Sequence, residues 1–266
     1  MHTSRAVVAT CSLFMLVLLA CPNCLQAQTQ EARVPHVRVD ATVGAAAVMT
    51  MTDEYLTGVQ RSLRLLALTE EVKSGDWDRM KGILAGCSAR DIEAAVWFAR
   101  PDGSYYTVDK GLTDQNIKDR PYFPKAVAGH ETLGDLVISK STGKYVAVVT
   151  APVKQGDAVV GILGASIYLE RLSSRIAQAL RLPDNLHFWA CDAAGKIVAI
   201  NRRTDRLFWD PTNLNSPTLT QSVAQMLAKP EGSISYDFAG KKMAAVYLTS
   251  PVTGWHFVFG VLKTIK

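Results

Sequence analysis

Apolar positions early in the chain recur at intervals of three and four, through Val48, Met51, Tyr55, Val59, Leu63 and Leu66. That spacing predicts one apolar face of a long helix, with Arg61, Arg64 and Glu71 turned away from it. Gly75 supplies a stop, and Asp76 can cap a second helix over 77–85 that Gly86 ends. Beyond it the period shortens to that of strands. Residues 94–99 and 104–108 are β-favouring runs around Pro101-Asp102-Gly103. In that turn proline presets φ, aspartate bonds its own backbone, and glycine accepts a positive φ. A second hairpin turns at Thr142-Gly143 between 135–139 and 145–153, and a strand over 159–168 follows the Gln155-Gly156-Asp157 turn.

The later part of the chain repeats this order on a smaller scale. A helix over 170–180 is broken by Leu182-Pro183-Asp184. A hairpin then joins 187–192 to 196–201 about Ala193-Ala194-Gly195. A helix over 220–228 and strands over 232–238, 242–249 and 255–262 complete the chain. The fold class expected is therefore α+β, a long N-terminal helix followed by two modules, each a central antiparallel sheet flanked by helices.

Three stretches carry the distinctive residues of the first module: Asp119-Arg120-Pro121-Tyr122-Phe123, Ser139-Lys140-Ser141-Thr142-Gly143-Lys144, and Val159-Val160-Gly161-Ile162-Leu163-Gly164-Ala165-Ser166. Their order after the leading helix resembles the extracellular double Cache family, whose modules are PAS-like. The ending Pro251-Val252-Thr253-Gly254-Trp255 is similar to the approach to a Cache module's closing strand. The resemblance implies a small-molecule-binding domain outside the cytoplasm. It divides the chain into a signal peptide (1–20), a tether (21–40), the long helix with a membrane-distal module (41–182), and a membrane-proximal module (183–266). Receptors of that family continue into a spanning helix, and no apolar run of that length follows Leu262. The expectation is a free-standing binding module that a separate membrane receptor partner reads.

Composition narrows the function. Of the 266 residues 48% are apolar and 20% charged, as in ordinary globular proteins, and the net charge of +5 is nowhere concentrated into a basic run. A nucleic-acid partner is therefore not expected. Arg5 ahead of the apolar stretch 6–20 marks an export signal. Leu18-Leu19-Ala20-Cys21 resembles a lipobox, which would make Cys21 a lipid anchor, while Leu25-Gln26-Ala27 suits ordinary cleavage instead. Cys24, Cys87 and Cys191 have neither the number nor the spacing of a disulfide framework or a zinc site.

Candidate binding residues gather in the first module. The Arg120 guanidinium suits a carboxylate, and Tyr122 and Phe123 beside it can exclude water from the contact. Trp97 and Tyr106 lie on strands under that loop, Ser139 and Lys140 open the Ser-Thr-Gly turn, and Thr150 and Ser166 are polar positions within apolar strands. In amino-acid-binding members of the resembled family an arginine two residues before an aromatic pair holds the ligand carboxylate, a pattern that Arg120, Tyr122 and Phe123 match. Gln115 and Ser166 stand where that family carries a tyrosine and an acid. A buried α-ammonium needs an anionic partner, so a carboxylate without an amine, or a neutral polar solute, is the expected ligand.

No enzyme is expected. Ser141-Thr142-Gly143-Lys144 fits S-x-x-K, but it reads as a hairpin turn and lacks companion motifs. The histidines are scattered, and phosphate-binding and dinucleotide fingerprints are missing, so no metal or cofactor is implied. The function expected is small-ligand binding in the first module. The alternative is a structural or interaction module of the cell envelope.

Overall fold

Asp40 caps the first helix, α1 (Ala41–Leu66), by accepting from the Thr42 N–H at 2.8 Å. The computed structural model that shows this describes residues 40–90 and 94–263. The predicted signal segment, all of the tether but Asp40, and Cys21 and Cys24 lie outside the described residues. Along α1 the buried positions Ala45, Val48, Leu56, Val59, Leu63 and Leu66 form one stripe, with Met51 and Tyr55 at its margin. A short helix α2 (Glu70–Lys73) follows, then α3 (Trp77–Arg90). The latter runs through Gly86 rather than ending there, because nothing crowds that glycine and the backbone continues helically.

Two antiparallel sheets follow. The first contains β1 (Ala94–Ala99), β2 (Ser104–Thr107), β3 (Gly111–Asn116), β4 (Thr132–Ile138), β5 (Tyr145–Gln155) and β6 (Ala158–Tyr168), in the order β3-β2-β1-β6-β5-β4. A five-residue helix, α4 (Phe123–Val127), sits between β3 and β4. After α5 (Leu169–Leu180) come β7 (Leu186–Cys191), β8 (Val198–Asn201), α6 (Pro217–Ala228), β9 (Glu231–Phe238), β10 (Lys241–Thr249) and β11 (His256–Lys263). This second sheet has the order β8-β7-β11-β10-β9. Among the described residues no helix is long and apolar enough to cross a membrane.

Each sheet gives one face to a shared helical core and keeps the other for its own cover. Val96, Phe98, Val149, Ala151, Leu163 and Ala165 of the first sheet, and Phe188, Phe257 and Phe259 of the second, join α1 and α3 in one apolar cluster. Gly44 lets α1 lie directly on the Phe259 ring, since a Cβ there would stand 2.6 Å from it. A polar tie fastens the same helix to the second sheet. Ser250 Oγ donates to the buried Asp53 carboxylate, with its oxygens at 2.8 and 2.9 Å. Burial raises the Asp53 pKa and the Ser250 hydrogen bond opposes that rise. The opposite face of the first sheet is covered by α4 and the loop before it, and that of the second by α6.

Candidate functional site

The covered face of the first sheet holds most of the residues singled out from the sequence. Strand alternation sets Trp97 and Ala99 on this face with Tyr105 as the cross-strand neighbour of Ala99. Gly164 and Ser166 face the same way on β6, and Val148 and Thr150 on β5. Trp97 Nε1 donates to Ser166 Oγ at 3.1 Å. The Ser166 oxygen is thus the indole's acceptor. Thr150 Oγ1 lies 2.9 Å from Thr132 Oγ1 and accepts from the Thr132 N–H at 3.2 Å.

Thr132 also bonds Asp135, a residue that the sequence offers only as a structural loop partner for Arg120. Gly134 has φ +85° and sits where the pairing of β4 with β5 shifts register, which places Asp135 opposite Val148 on this face. Its carboxyl is half-buried and forms no ion pair among the described residues. Desolvation raises its pKa, and hydrogen bonding from Thr132 and the charge of Lys125 partly offset this. The register shift has no trace in the sequence. An aspartate inside an otherwise apolar strand is the signal that could have found it.

The loop over this face is clamped at its rim. Asp119 pairs with Lys140 at 2.7 Å, and Lys140 Nζ also donates to the Asn116 carbonyl at 2.6 Å. Lys140 is therefore a structural clamp here. Arg120 Nη2 donates to the Ile138 carbonyl at 2.6 Å, so the arginine pairs with neither Asp119 nor Asp135. Ser139 closes the β4–β5 turn by accepting at its carbonyl from the Gly143 N–H. Below the rim, Tyr122 and Phe123 descend onto the sheet, with the Tyr122 ring 6.0 Å from that of Trp97. Burial raises the Tyr122 pKa; Arg120 opposes the rise while Asp135 adds to it, so both charges act at this hydroxyl.

Tyr106 corrects the expectation drawn for it. It pairs with Phe98 on the other face of the sheet, stacks on Trp77 at 5.0 Å, and lies under Arg100. Its neighbour Tyr105 takes the position on the loop side, 6.3 Å from Trp97. The face as a whole is closed, since Trp97, Tyr105, Tyr122 and Phe123 are each at most 4% exposed. It offers donors, a carboxylate and aromatic walls, which suits binding. Among the described residues no group of three or more His, Cys, Asp or Glu side chains is placed to hold a metal ion.

A family-level sequence comparison matches the Cache domain over residues 26–264. No curated protein matches significantly. Among solved structures, the ligand-binding domain of the Pseudomonas fluorescens chemoreceptor CtaA in complex with L-serine is similar at TM-score 0.64 and 13% identity, over 83% of this chain and 95% of that one. The ligand-binding domain of the Pseudomonas aeruginosa PAO1 amino acid chemoreceptor PctB, in complex with L-Arg, gives TM-score 0.64 and 16% identity over 84% and 92%. The sensory domain of the Campylobacter jejuni chemoreceptor Tlp3 with isoleucine bound gives 0.60 and 15% over 84% and 91%. At these identities the likeness establishes the fold.

Proposed function

The chain belongs to the Cache-domain family, and on that footing we propose that it is an exported sensor domain binding a small carboxylate or polar solute beneath the loop of Arg120, Tyr122 and Phe123. The observation that carries this is the half-buried Asp135, without an ion pair among the described residues, on one face with the Arg120 fork at its rim. Asp135 changes the ligand class inferred from Ser166, because an α-ammonium has an anionic partner on this face after all. Ligand entry requires the rim clamps to release, and both are exposed bonds that water can replace.

A melting-shift screen tests the site with L-serine, L-isoleucine, L-arginine, lactate and acetate. A ligand at a hundred times its Kd stabilises the fold by about 2.7 kcal/mol. Arg120→Ala is expected to remove the shift for each of these five carboxylates, since losing one partner of a desolvated charge pair costs about 2 to 5 kcal/mol. Asp135→Asn is expected to remove only the advantage of amino acids over the acids without an amine. Equal shifts in wild type and Arg120→Ala would take the arginine out of the site. The closed face favours a second reading, an interaction module whose pocket is filled by its own aromatic side chains. A screen with no hit at all would favour that one.

The export half of the proposal rests on the leader. Cys21→Ala is expected to release the protein from the membrane fraction, as removal of a lipidated terminus does. A mature protein beginning at Gln28 would refute lipidation and leave export intact.

A further inference from the structure

The second sheet bounds a cavity of about 480 Å³ between β7, β9 and the segment that joins β8 to α6. That is ample for a small organic ligand, since such pockets run from roughly 300 to 1,000 Å³. Its lining divides by chemistry. Val198, Leu219 and Met243 supply apolar wall, while Arg202, Arg203, Arg206 and Lys241 set four cations against one carboxylate, that of Asp184.

Two of these cations are already satisfied. Arg202 donates to the carbonyls of Leu182, Pro183 and Leu186 and to Asp184, and Arg203 pairs with Asp205 at 3.2 Å. Arg206 makes no ion pair among the described residues, and its buried Nε has no hydrogen-bond partner. Its guanidinium lies between aromatic rings, 4.8 Å from the centroid of Phe238 and 5.9 Å from that of Trp209. Desolvation, then repulsion from Arg203, lowers its pKa, and the Asp205 carboxylate, which pairs with Arg203, opposes the fall.

A second group in the same lining is also incompletely satisfied. Trp189 Nε1 donates to Tyr236 Oη at 2.9 Å, and His187 Nε2 lies 3.1 Å from that oxygen. The buried His187 Nδ1 meets no partner at full hydrogen-bond geometry, and the Gly260 carbonyl that bonds the ring favours its protonated form. The unpaired Arg206 guanidinium in this apolar-walled cavity calls for an anion with a body.

We infer that this cavity is a second ligand site, taking a monocarboxylate that carries an apolar, ring-sized body. The carboxylate supplies Arg206 with a planar acceptor for its fork, and the body covers the apolar wall. Inorganic phosphate is a poor fit, because its second charge has only Lys241 left to meet it and it leaves the apolar wall bare. The site is independent of the one proposed on the first sheet.

The test titrates the full chain with benzoate, using benzamide as the neutral isostere and acetate as the headgroup alone. Melting temperature and the fluorescence of Trp189 and Trp209 report binding. Benzoate is expected to bind saturably and to outcompete both controls. Arg206→Gln is expected to weaken it roughly thirtyfold or more, the loss that follows truncation of one desolvated charge partner. Arg120→Ala is expected to leave it unchanged. Leu214→Trp fills the cavity without altering charge and is expected to abolish binding, which decides the matter if Arg206→Gln fails to fold. The inference is overturned if benzoate binds no better than about 10 mM. Binding that survives Leu214→Trp, or that disappears in Arg120→Ala, overturns it equally.

Discussion

Gly164→Ala is expected to destabilise the fold by about 3 kcal/mol, at the upper end of what overpacking a close-packed core costs. The added Cβ would stand 2.0 Å from Trp97 Cζ2 and 2.3 Å from Cε2. The φ of Gly164 is not positive, so the glycine is there for space and not for conformational freedom. The indole has little room to yield. Its Nε1 is tied to Ser166, Tyr105 meets it edge-on, and Tyr122 covers it. In a chain of this size the loss corresponds to a fall in Tm of roughly 6 to 12 °C. Thermal unfolding checks it against Gly82→Ala, an exposed helical glycine with nothing within 4 Å of its would-be Cβ. That control is expected to gain about 0.5 to 1 kcal/mol. Because Trp97 is the obstacle, Gly164→Ala made in a Trp97→Leu background is expected to cost much less, a non-additivity that contacting residues show. An unchanged midpoint in the single variant, or full additivity in the double, would refute the account.

Lowering the pH from 7 towards 4 is expected to weaken the second sheet through His187. Burial pushes the His187 pKa down to about 4, repulsion from Arg206 and Arg202 adds to this, and the Gly260 carbonyl opposes it. A folded pKa below the ordinary 6.5 means that the unfolded chain binds more protons across the interval. The stabilising contribution is therefore complete above pH 6.5 and is lost as the pH falls through about 4. With about 1.4 kcal/mol for every tenfold change in proton affinity, its full size is about 3 kcal/mol. His256, also lowered by burial and bonded to Thr249 Oγ1 at 2.9 Å, acts in the same direction. Asp53 and Asp135 act in the opposite one, because their raised values make the folded state the better proton binder as acid is added. Urea midpoints at several pH values should fall with acid in the wild type. They should fall much less in His187→Gln, which keeps an amide to bond Tyr236 without titrating. Parallel slopes in the two proteins would exclude His187 as the source.

Gly164 and His187 both matter through contacts between distant strands, and the same division separates what is legible in the chain from what is not. The apolar stripe of α1 and the turns at Gly103, Gly143, Gly156 and Gly195 can be read directly, and each of those glycines has positive φ. Helical period and turn chemistry are properties of neighbouring residues, so no tertiary contact is needed to reveal them. β3 leaves no such mark, because Gly111–Asn116 is a polar, largely exposed edge strand without apolar alternation. α4 leaves none either, since five residues are too few to show a helical period.

At the candidate sites the order of residues fixes which chemical groups are present, and folding chooses which of them meet. Alternation along β2 requires Tyr105 and Tyr106 to face opposite ways, but the choice of face depends on where α1 and α3 pack, and it went to Tyr105. Asp135 reaches the loop-covered face through a register shift at Gly134, which only pairing with β5 reveals. Lys140 is drawn to Asp119 by loop closure across 21 positions, an encounter that sequence spacing does not encode. The cavity on the second sheet is the extreme case. It brings His187 of β7, Arg206 and Trp209 of the intervening segment, and Tyr236 and Phe238 of β9 around one space. Such an assembly has no periodic trace, because the contacts that build it join residues that are neighbours only after the sheet has closed.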